Sequence, residues 1–568
     1  MKKIISISIM LVYALTFVNC SDEAYNEKYN DPNKITELLM DKLTIGLFVQ
    51  CNDLCIQGYN RYYSFDNMYL ANFTQSIGRP YSTTMYHPGW SDNGESKYSK
   101  FFTAAAHFKK LEQMYSELTE AEQKGYEVYV LVGKVHIYHY MLAMLDTYGS
   151  IPWTEAGRVV LTGELSASNP HFDKAEDLYK LIIDDMKEVG KRLATATIPR
   201  DFTSSQDFIN NADLKKWQKY ANSLRMRAAL RVASNGPITA VGRAALKEMI
   251  ENPKEYPVVE KNDDNIDIHN LRADPVNASG GGFDGEGGNQ ASDDLLSRML
   301  SNYDRSTWSG TYQPGIDDPR VPLLYDLAVK EAGRNVGFAS AGPAYREATV
   351  FRGHSYQMPE TVNSDYSSGH GISRIRHNGF FWENRDWDHQ IISAAEMWFI
   401  RAEAILNGWA AGGENGAKAA FKEGINQSIK FYFKYHKSKS EGDDSKGDNG
   451  TNKRGWVINP DEPKDEWISD YAEDRWQSAV NSQHPYENKL DAIITQKYIN
   501  FNFMYIREAW NDIRRTGYPK IHLPQVTDQT VPNVPVRLRY PAAERDFNKN
   551  FPEVKDQDNY TTKMFWAK

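Results

Sequence analysis

The residues in this chain best suited to chemistry are aromatic side chains set among amides and charged groups, in stretches too rich in Gly, Pro, Ser and Asn to hold regular helix. Tyr81, Tyr86 and Trp90 fall in SIGRPYSTTMYHPGWSDNG, with Arg79 and Asn93 beside them. Trp308 and Tyr312 fall in YDRSTWSGTYQPG, Tyr356 follows FRGHS, and Trp382 and Trp387 fall in FFWENRDWDH with Asn384 between them. Asn289 and Asp293 add further polar groups to the same region. A flat aromatic face stacks on the apolar face of a sugar ring, while amides, carboxylates and guanidinium groups hydrogen-bond its hydroxyls. The pattern points to a glycan site made from Tyr81, Tyr86, Trp90, Asn93, Trp308, Tyr312, Tyr356, Trp382 and Trp387. A competing reading stays open for each residue taken singly: a loop aromatic also serves to pin its loop to the scaffold beneath.

Catalytic patterns are missing from the sequence. It contains no HExxH, no GxSxG, no phosphate-loop GK[ST] and no paired CxxC. His136 and His139 stand at i, i+3 on one apolar, aromatic helix, a setting for packed histidines rather than metal ligands. A calcium-loop reading of Asp263, Asn265, Asp267 and Asp274 fails at the sixth position, where Ile268 stands in place of the glycine the turn needs. With 75 acidic residues, coincidental carboxylate pairs abound, and no stretch singles out a glycosidase pair. No catalytic residue, metal or cofactor is therefore expected. The formal charge of −9 and the lack of any Lys/Arg block exclude nucleic acid as a natural partner. Cys51 and Cys55, at i, i+4 in CNDLC, read as two small buried residues; a disulfide at that spacing is awkward.

The elements that must position the aromatics are helical. Apolar residues recur at helical spacing from Asn33, a possible N-cap, to about Tyr59, from Lys97 to Tyr115, and from Glu120 to Tyr148. Asp173 is expected to cap the next helix, with Glu176 in capping-box register, and another helix runs from Asp213 to Val232. From about 251 to 390 helical periodicity fades and Gly, Pro, Asp and Asn become dense. Helices return at SAAEMWFIRAEAILNGW, at Gly416–Tyr435, and as a pair over 483–515, with a polar excursion HKSKSEGDDSKGDNGTNKRG between. Small residues (Gly133, Ala402, Ala404) are placed for close helix crossings. The expected fold is mainly α, a tetratricopeptide-like helix-pair scaffold (an α-α superhelix) over about 33–250, 391–435 and 483–520. It carries an irregular, loop-rich lobe over about 251–390, although no clean 34-residue repeat is present.

The N-terminus reads as an export leader, with Lys2 and Lys3 ahead of an apolar run from Ile4 to Val18. That run is too short to span a bilayer, and no later stretch is read as a span. Cleavage after residue 19 would leave Cys20 first, ready for thioether lipidation. Several acyl chains at one site anchor a protein far better than one. Asn19 departs from the Gly or Ala usual before a lipidated cysteine.

Several segments together resemble one family, the SusD/RagB-like outer-membrane nutrient-binding lipoproteins. They are YGSIPWTEA, FDKAEDLYKLIIDDM, LKKWQKYANSLRMRAALRV, DDPR at 317–320, SAAEMWFIRAEAILNGW, AIITQKYINFNFMYIREAWNDIRRTGYPKI and VRLRYPAAERDFNKN. They occur in the family's order and span nearly the whole chain. The resemblance implies a signal peptide over 1–19, a single domain over 20–568, and a lipid anchor on Cys20 in the outer membrane, facing the exterior. The acidic Ser21-Asp22-Glu23 resembles the surface-export signal of such proteins. It implies a non-catalytic protein that binds oligo- or polysaccharide and delivers it to a SusC-like TonB-dependent outer-membrane transporter. It also places Trp90 near one ligand platform and Trp308 with Tyr312 near another. Two alternatives stay open: a peptide-binding relative of the same type, and a surface glycoside hydrolase.

Overall fold

The computed structural model describes residues 40–53, 65–66, 69–78, 94–268, 290–328, 350–355, 372–373, 375, 389–440, 461–481, 486–523 and 535–568. The leader, Cys20, Asn33 and Cys55 lie outside the described residues; Cys51 is fully buried. The main helices are α1 (Met40–Asp53), α2 (Gly94–Ser116), α3 (Glu120–Tyr148), α4 (Ala175–Leu193), α5 (Leu214–Ala233), α6 (Thr239–Glu251) and α7 (Asp293–Met299). They continue with α8 (Ala394–Leu406), α9 (Gly413–Ser440), α10 (Asp465–Asn481), α11 (Lys489–Phe501) and α12 (Ile506–Thr516). Successive helices pack as pairs: α2 on α3, α4 on α5, α5 on α6, α8 on α9 and α11 on α12. The strands are short: β1 (Ile266–Ile268), β2 (Ser309–Gly310), β3 (Phe351–Arg352) and β4 (His389–Ile392). β1 pairs antiparallel with β4, and β2 with β3. The fold is mainly α, as expected, with the irregular lobe between α6 and α8.

α3 begins at a capping box, in which Thr119 Oγ1 accepts from Glu122 N (3.4 Å) and Glu122 Oε2 accepts from Thr119 N (2.9 Å). Every residue from Val135 to Tyr148 is buried. By length and composition α3 could cross a membrane, contrary to the reading that no later stretch qualifies. Its apolar window is 89% buried inside the fold, which marks a core helix. His136 sits within it, its ring edge-on to Trp217 at 4.5 Å, and burial pulls its pKa down to about 3. The packed-histidine reading holds.

Some expectations need correction. Asp173 does not cap α4: its carboxylate instead accepts from Thr154 N (2.8 Å) and Thr154 Oγ1 (2.6 Å), closing the preceding loop, and the N-cap is Lys174. The turn bond captured an acid that local spacing had assigned to the helix. α6 and α10 were not read as helices. Their signals, Leu246 with Met249 and Ile468 with Ala472 and Trp476, are present but short. A tight crossing falls at Gly242 and not at Gly133. A Cβ on Gly242 would lie 2.5 Å from the Ala229 carbonyl oxygen, whereas one on Gly133 would meet only the Phe108 ring at 3.4 Å.

Charged residues in the quoted motifs turn inward and hold the helices together. Arg227 on α5 forks onto Glu396 on α8 (2.7 and 2.6 Å), and Arg231 reaches Asp146 on α3 (3.0 Å) and Glu508 on α12 (2.5 Å). Arg515 on α12 pairs with Glu403 on α8 and with Asp512 (2.9 Å), and Asp512 also takes Lys497 on α11 (2.9 Å). All are nearly fully buried, so the cost of desolvating each ion has to be met by its partner. The DDPR segment joins the lobe to this scaffold. Asp318 and Arg320 form a fully buried bidentate pair (2.8 and 2.6 Å). Arg320 also donates to Ser428 Oγ on α9 (2.7 Å) and Gln496 Oε1 on α11 (2.8 Å), and Tyr471 on α10 donates to Asp318 (2.7 Å). Of the residues of the calcium-loop reading, Asp263 is engaged by Lys434 at 2.6 Å, Asn265 Oδ1 accepts from Ala394 N (2.8 Å), Asp267 and Ile268 lie in β1, and Asp274 lies outside the described residues.

Candidate ligand-binding surface

A narrow seam gathers the roots of the aromatic loops. Gly78 pairs with Gln290 (N to O 2.9 and 3.3 Å), His354 N donates to Ala291 O (2.8 Å), and Asp293 N donates to His354 O (3.1 Å). Ala291 N reaches Ser373 O (2.7 Å). A Cβ on Gly78 would lie 2.3 Å from the Ala291 carbonyl oxygen, so no other residue fits there without moving the seam. Arg79, Tyr81, Tyr86, Trp90 and Asn93 follow Gly78, Asn289 precedes Gln290, and Tyr356 follows Ser355; all lie outside the described residues. Trp382, Asn384 and Trp387 do as well. Nothing in the sequence pattern marked Gly78 and Gln290 as neighbours. The Gln290 amide is buried and has no hydrogen-bond partner among the described residues.

Trp308 and Tyr312 are described, and they differ. Tyr312 is half-buried, packs on the core, and turns its ring edge-on to Phe351 at 6.5 Å. Burial, with Asp318 and Asp317 nearby, raises its hydroxyl pKa. The loop-pinning role therefore applies to Tyr312. Trp308 is half-buried but stands outside the packed core, at the end of a tight loop closed by Asp304 and Ser309 (N to O 2.9 and 3.2 Å). Its backbone is left-handed, φ +53°, a region bulky side chains adopt only against strain.

Residues that sequence reasoning passed over surround it. The Trp308 carbonyl accepts from Tyr303 Oη (2.8 Å) and Gly353 N (2.9 Å). Arg305 donates to Asp293 Oδ2 (2.6 Å) and Ser297 Oγ (2.7 Å), fixing the loop to α7. Asp293, read above as a polar group near the site, is buried, with Oδ2 taken by Arg305 and Oδ1 without a hydrogen-bond partner among the described residues; burial raises its pKa against the opposing pull of Arg305. Asp294 beside it accepts from Arg298 (3.0 Å) and pairs with His522 (2.8 Å). Burial would raise its pKa, but the bond to His522 and the charge of Arg298 hold it below the usual range. These two carboxylates are engaged by cations and serve structure.

Helix pairs thus form the scaffold, and the lobe between α6 and α8 carries the anchored loop with the left-handed Trp308. The family model described as starch-binding, associating with the outer membrane, matches residues 30–541. The chain belongs to this SusD-like family, whose members are non-catalytic binding proteins. Among solved structures, a chitin-binding protein shares 22% identity over 92% of this chain and 100% of its own, with a TM-score of 0.67. A SusD homologue from Bacteroides fragilis shares 17% over 93% and 99% (TM-score 0.65). A chitin-binding SusD homologue from Flavobacterium johnsoniae shares 17% over 92% and 98% (TM-score 0.61). These likenesses establish the fold. No curated protein matches the chain significantly.

Proposed function

We propose that the chain is a cell-surface lipoprotein that captures an oligo- or polysaccharide and hands it to a SusC-like TonB-dependent outer-membrane transporter, breaking no bond. The observation that carries this reading is the family match over residues 30–541. Two of the structural neighbours are named as chitin-binding, which supports a glycan over a peptide. Residues 1–19 serve as the signal peptide, and Cys20 carries the lipid that holds the single domain 20–568 at the outer face of the membrane. Trp308 supplies one stacking face, and the loop aromatics Tyr81, Tyr86, Trp90, Tyr356, Trp382 and Trp387 supply the others, with Asn93 bonding hydroxyls.

Calorimetric titration of the chain lacking residues 1–20 with maltoheptaose, chitohexaose and other plant, host and microbial oligosaccharides, and with a peptide digest, tests the reading. Binding to one glycan class, weakened by Trp308→Ala, is the expected result. A neutral glycan should bind almost independently of salt. Heat from the peptide digest alone would overturn the proposal.

A further inference from the structure

Trp308 is held by more than its own packing, and the groups holding it suggest a role that the glycan reading alone does not assign. We propose that Tyr303, with the Gly353 N–H and the Arg305–Asp293 pair, is a positioning residue that keeps Trp308 in its left-handed, ligand-ready conformation. The inference rests on the glycan reading above for its functional meaning.

A tryptophan at φ +53° relaxes to the ordinary right-handed or extended regions unless its neighbours prevent it. Here the peptide that follows Trp308 is fixed through its carbonyl oxygen, which takes one hydrogen bond from the Tyr303 hydroxyl (2.8 Å) and one from Gly353 N (2.9 Å). The donors come from two segments distant in sequence: Tyr303 follows α7, and Gly353 follows β3. Gly353 can approach because it has no side chain. A Cβ there would lie 2.6 Å from Asp293 N and 2.7 Å from Tyr303 Oη. The near end of the loop is fixed independently, by Arg305 on Asp293 and Ser297 and by Asp304 Oδ1 accepting from Ser306 N (2.8 Å). Both ends are therefore held, with the strain concentrated at Trp308. A platform already in its bound conformation does not spend binding free energy on ordering itself.

The test combines affinity with a direct reporter on the indole. Tyr303→Phe keeps the ring and removes only the hydroxyl donor, so the melting temperature should stay near wild type. Affinity for whichever of maltoheptaose or chitohexaose binds should fall about 3- to 10-fold, the effect of losing one ordinary hydrogen bond. In a Trp308→Ala background the same substitution should cause no further loss. Additive losses would show that Tyr303 acts elsewhere, and unchanged affinity where Trp308→Ala weakens binding would overturn the proposal. Fluorine NMR of 5-fluorotryptophan protein, with Trp308 assigned by its substitution, needs no ligand. One sharp Trp308 resonance in wild type should broaden or split in Tyr303→Phe. An unchanged resonance refutes positioning even if no glycan binds, whereas splitting without any glycan binding refutes the glycan reading and leaves the conformational inference standing.

Discussion

Replacing Arg320 by Ala should weaken the joint between the lobe and its scaffold. The guanidinium is fully buried and uses four bonds: two to Asp318, one to Ser428 and one to Gln496. Its removal leaves Asp318 charged and buried, with only Tyr471 Oη and the Arg320 backbone N–H as remaining donors. Stranding one member of such a pair costs about 3–5 kcal/mol. A chain of 568 residues, at about 2.1 cal/mol/K of unfolding entropy per residue, has a total near 1.2 kcal/mol/K, so that loss corresponds to roughly 3–4 °C in Tm. Burial pushes the Asp318 pKa up and Arg320 more than reverses this, holding it below the usual carboxylate range. Without the guanidinium, only the Tyr471 hydroxyl and the backbone N–H of residue 320 are left to oppose burial, and the folded pKa of Asp318 rises. The defect should then be largest at pH 7 and shrink as the pH falls and Asp318 can take a proton. Differential scanning calorimetry at several pH values, with hydrogen exchange over residues 317–325, reads both effects. The double variant Asp318→Asn with Arg320→Met leaves no charge behind and should recover much of the loss. A single variant within about 1 kcal/mol of wild type, or a double variant no better than the single, would refute the account.

Gly242→Ala should destabilise by about 1–3 kcal/mol, because the new methyl meets the Ala229 backbone carbonyl across the α5–α6 crossing, whereas Gly133→Ala should be neutral or stabilising. Chemical denaturation of the two variants separates them. Glu248 is held at about 2: burial raises its pKa, and bonds from Lys187 and Arg225 (2.6 Å each) lower it further than burial lifts it. A depressed carboxylate stabilises the fold above its unfolded pKa near 4.3 and loses that contribution as pH falls toward 2. Stability should therefore decline over this window, and the total decline should be smaller in Glu248→Gln by about 1 kcal/mol, the shift being discounted for solvent screening of this partly exposed group. Equal slopes would contradict the assignment. Gln290→Met replaces a buried amide that has no partner among the described residues by a thioether of similar size and should raise stability by about 1 kcal/mol or leave it unchanged. A clear loss would mean that the amide has a partner, such as a buried water.

Local patterns in the sequence located the helices well where an apolar face was long or a cap was strong. Asp213 caps α5 through Lys215 N (2.8 Å), and Ser393 caps α8 through Glu396 N (3.1 Å), each the first residue of the segment read as helical. What local patterns could not supply is pairing at a distance. Arg227 with Glu396, Arg231 with Glu508 and Arg515 with Glu403 join residues more than a hundred positions apart. Each is a plain surface-type residue until the fold brings its partner to it. The same holds for the candidate site. Trp308 was visible as an aromatic in a loop, but its left-handed backbone and its two carbonyl donors depend on Tyr303, Gly353 and β3 meeting in space.

This arrangement has a consequence for how recognition can change. The buried charge network runs through α3, α5, α8, α11 and α12, and none of its members borders the Trp308 loop. The lobe is joined to α9, α10 and α11 through Asp318 and Arg320, both fully buried. The loops in turn depart from backbone pairs at Gly78–Gln290 and Ala291–His354, which fix their roots whatever side chains follow. A substitution of the Trp308 side chain thus removes the proposed stacking face without touching the buried charge network, whereas a change at Gly78 or Arg320 alters the backbone seam or the joint between lobe and scaffold.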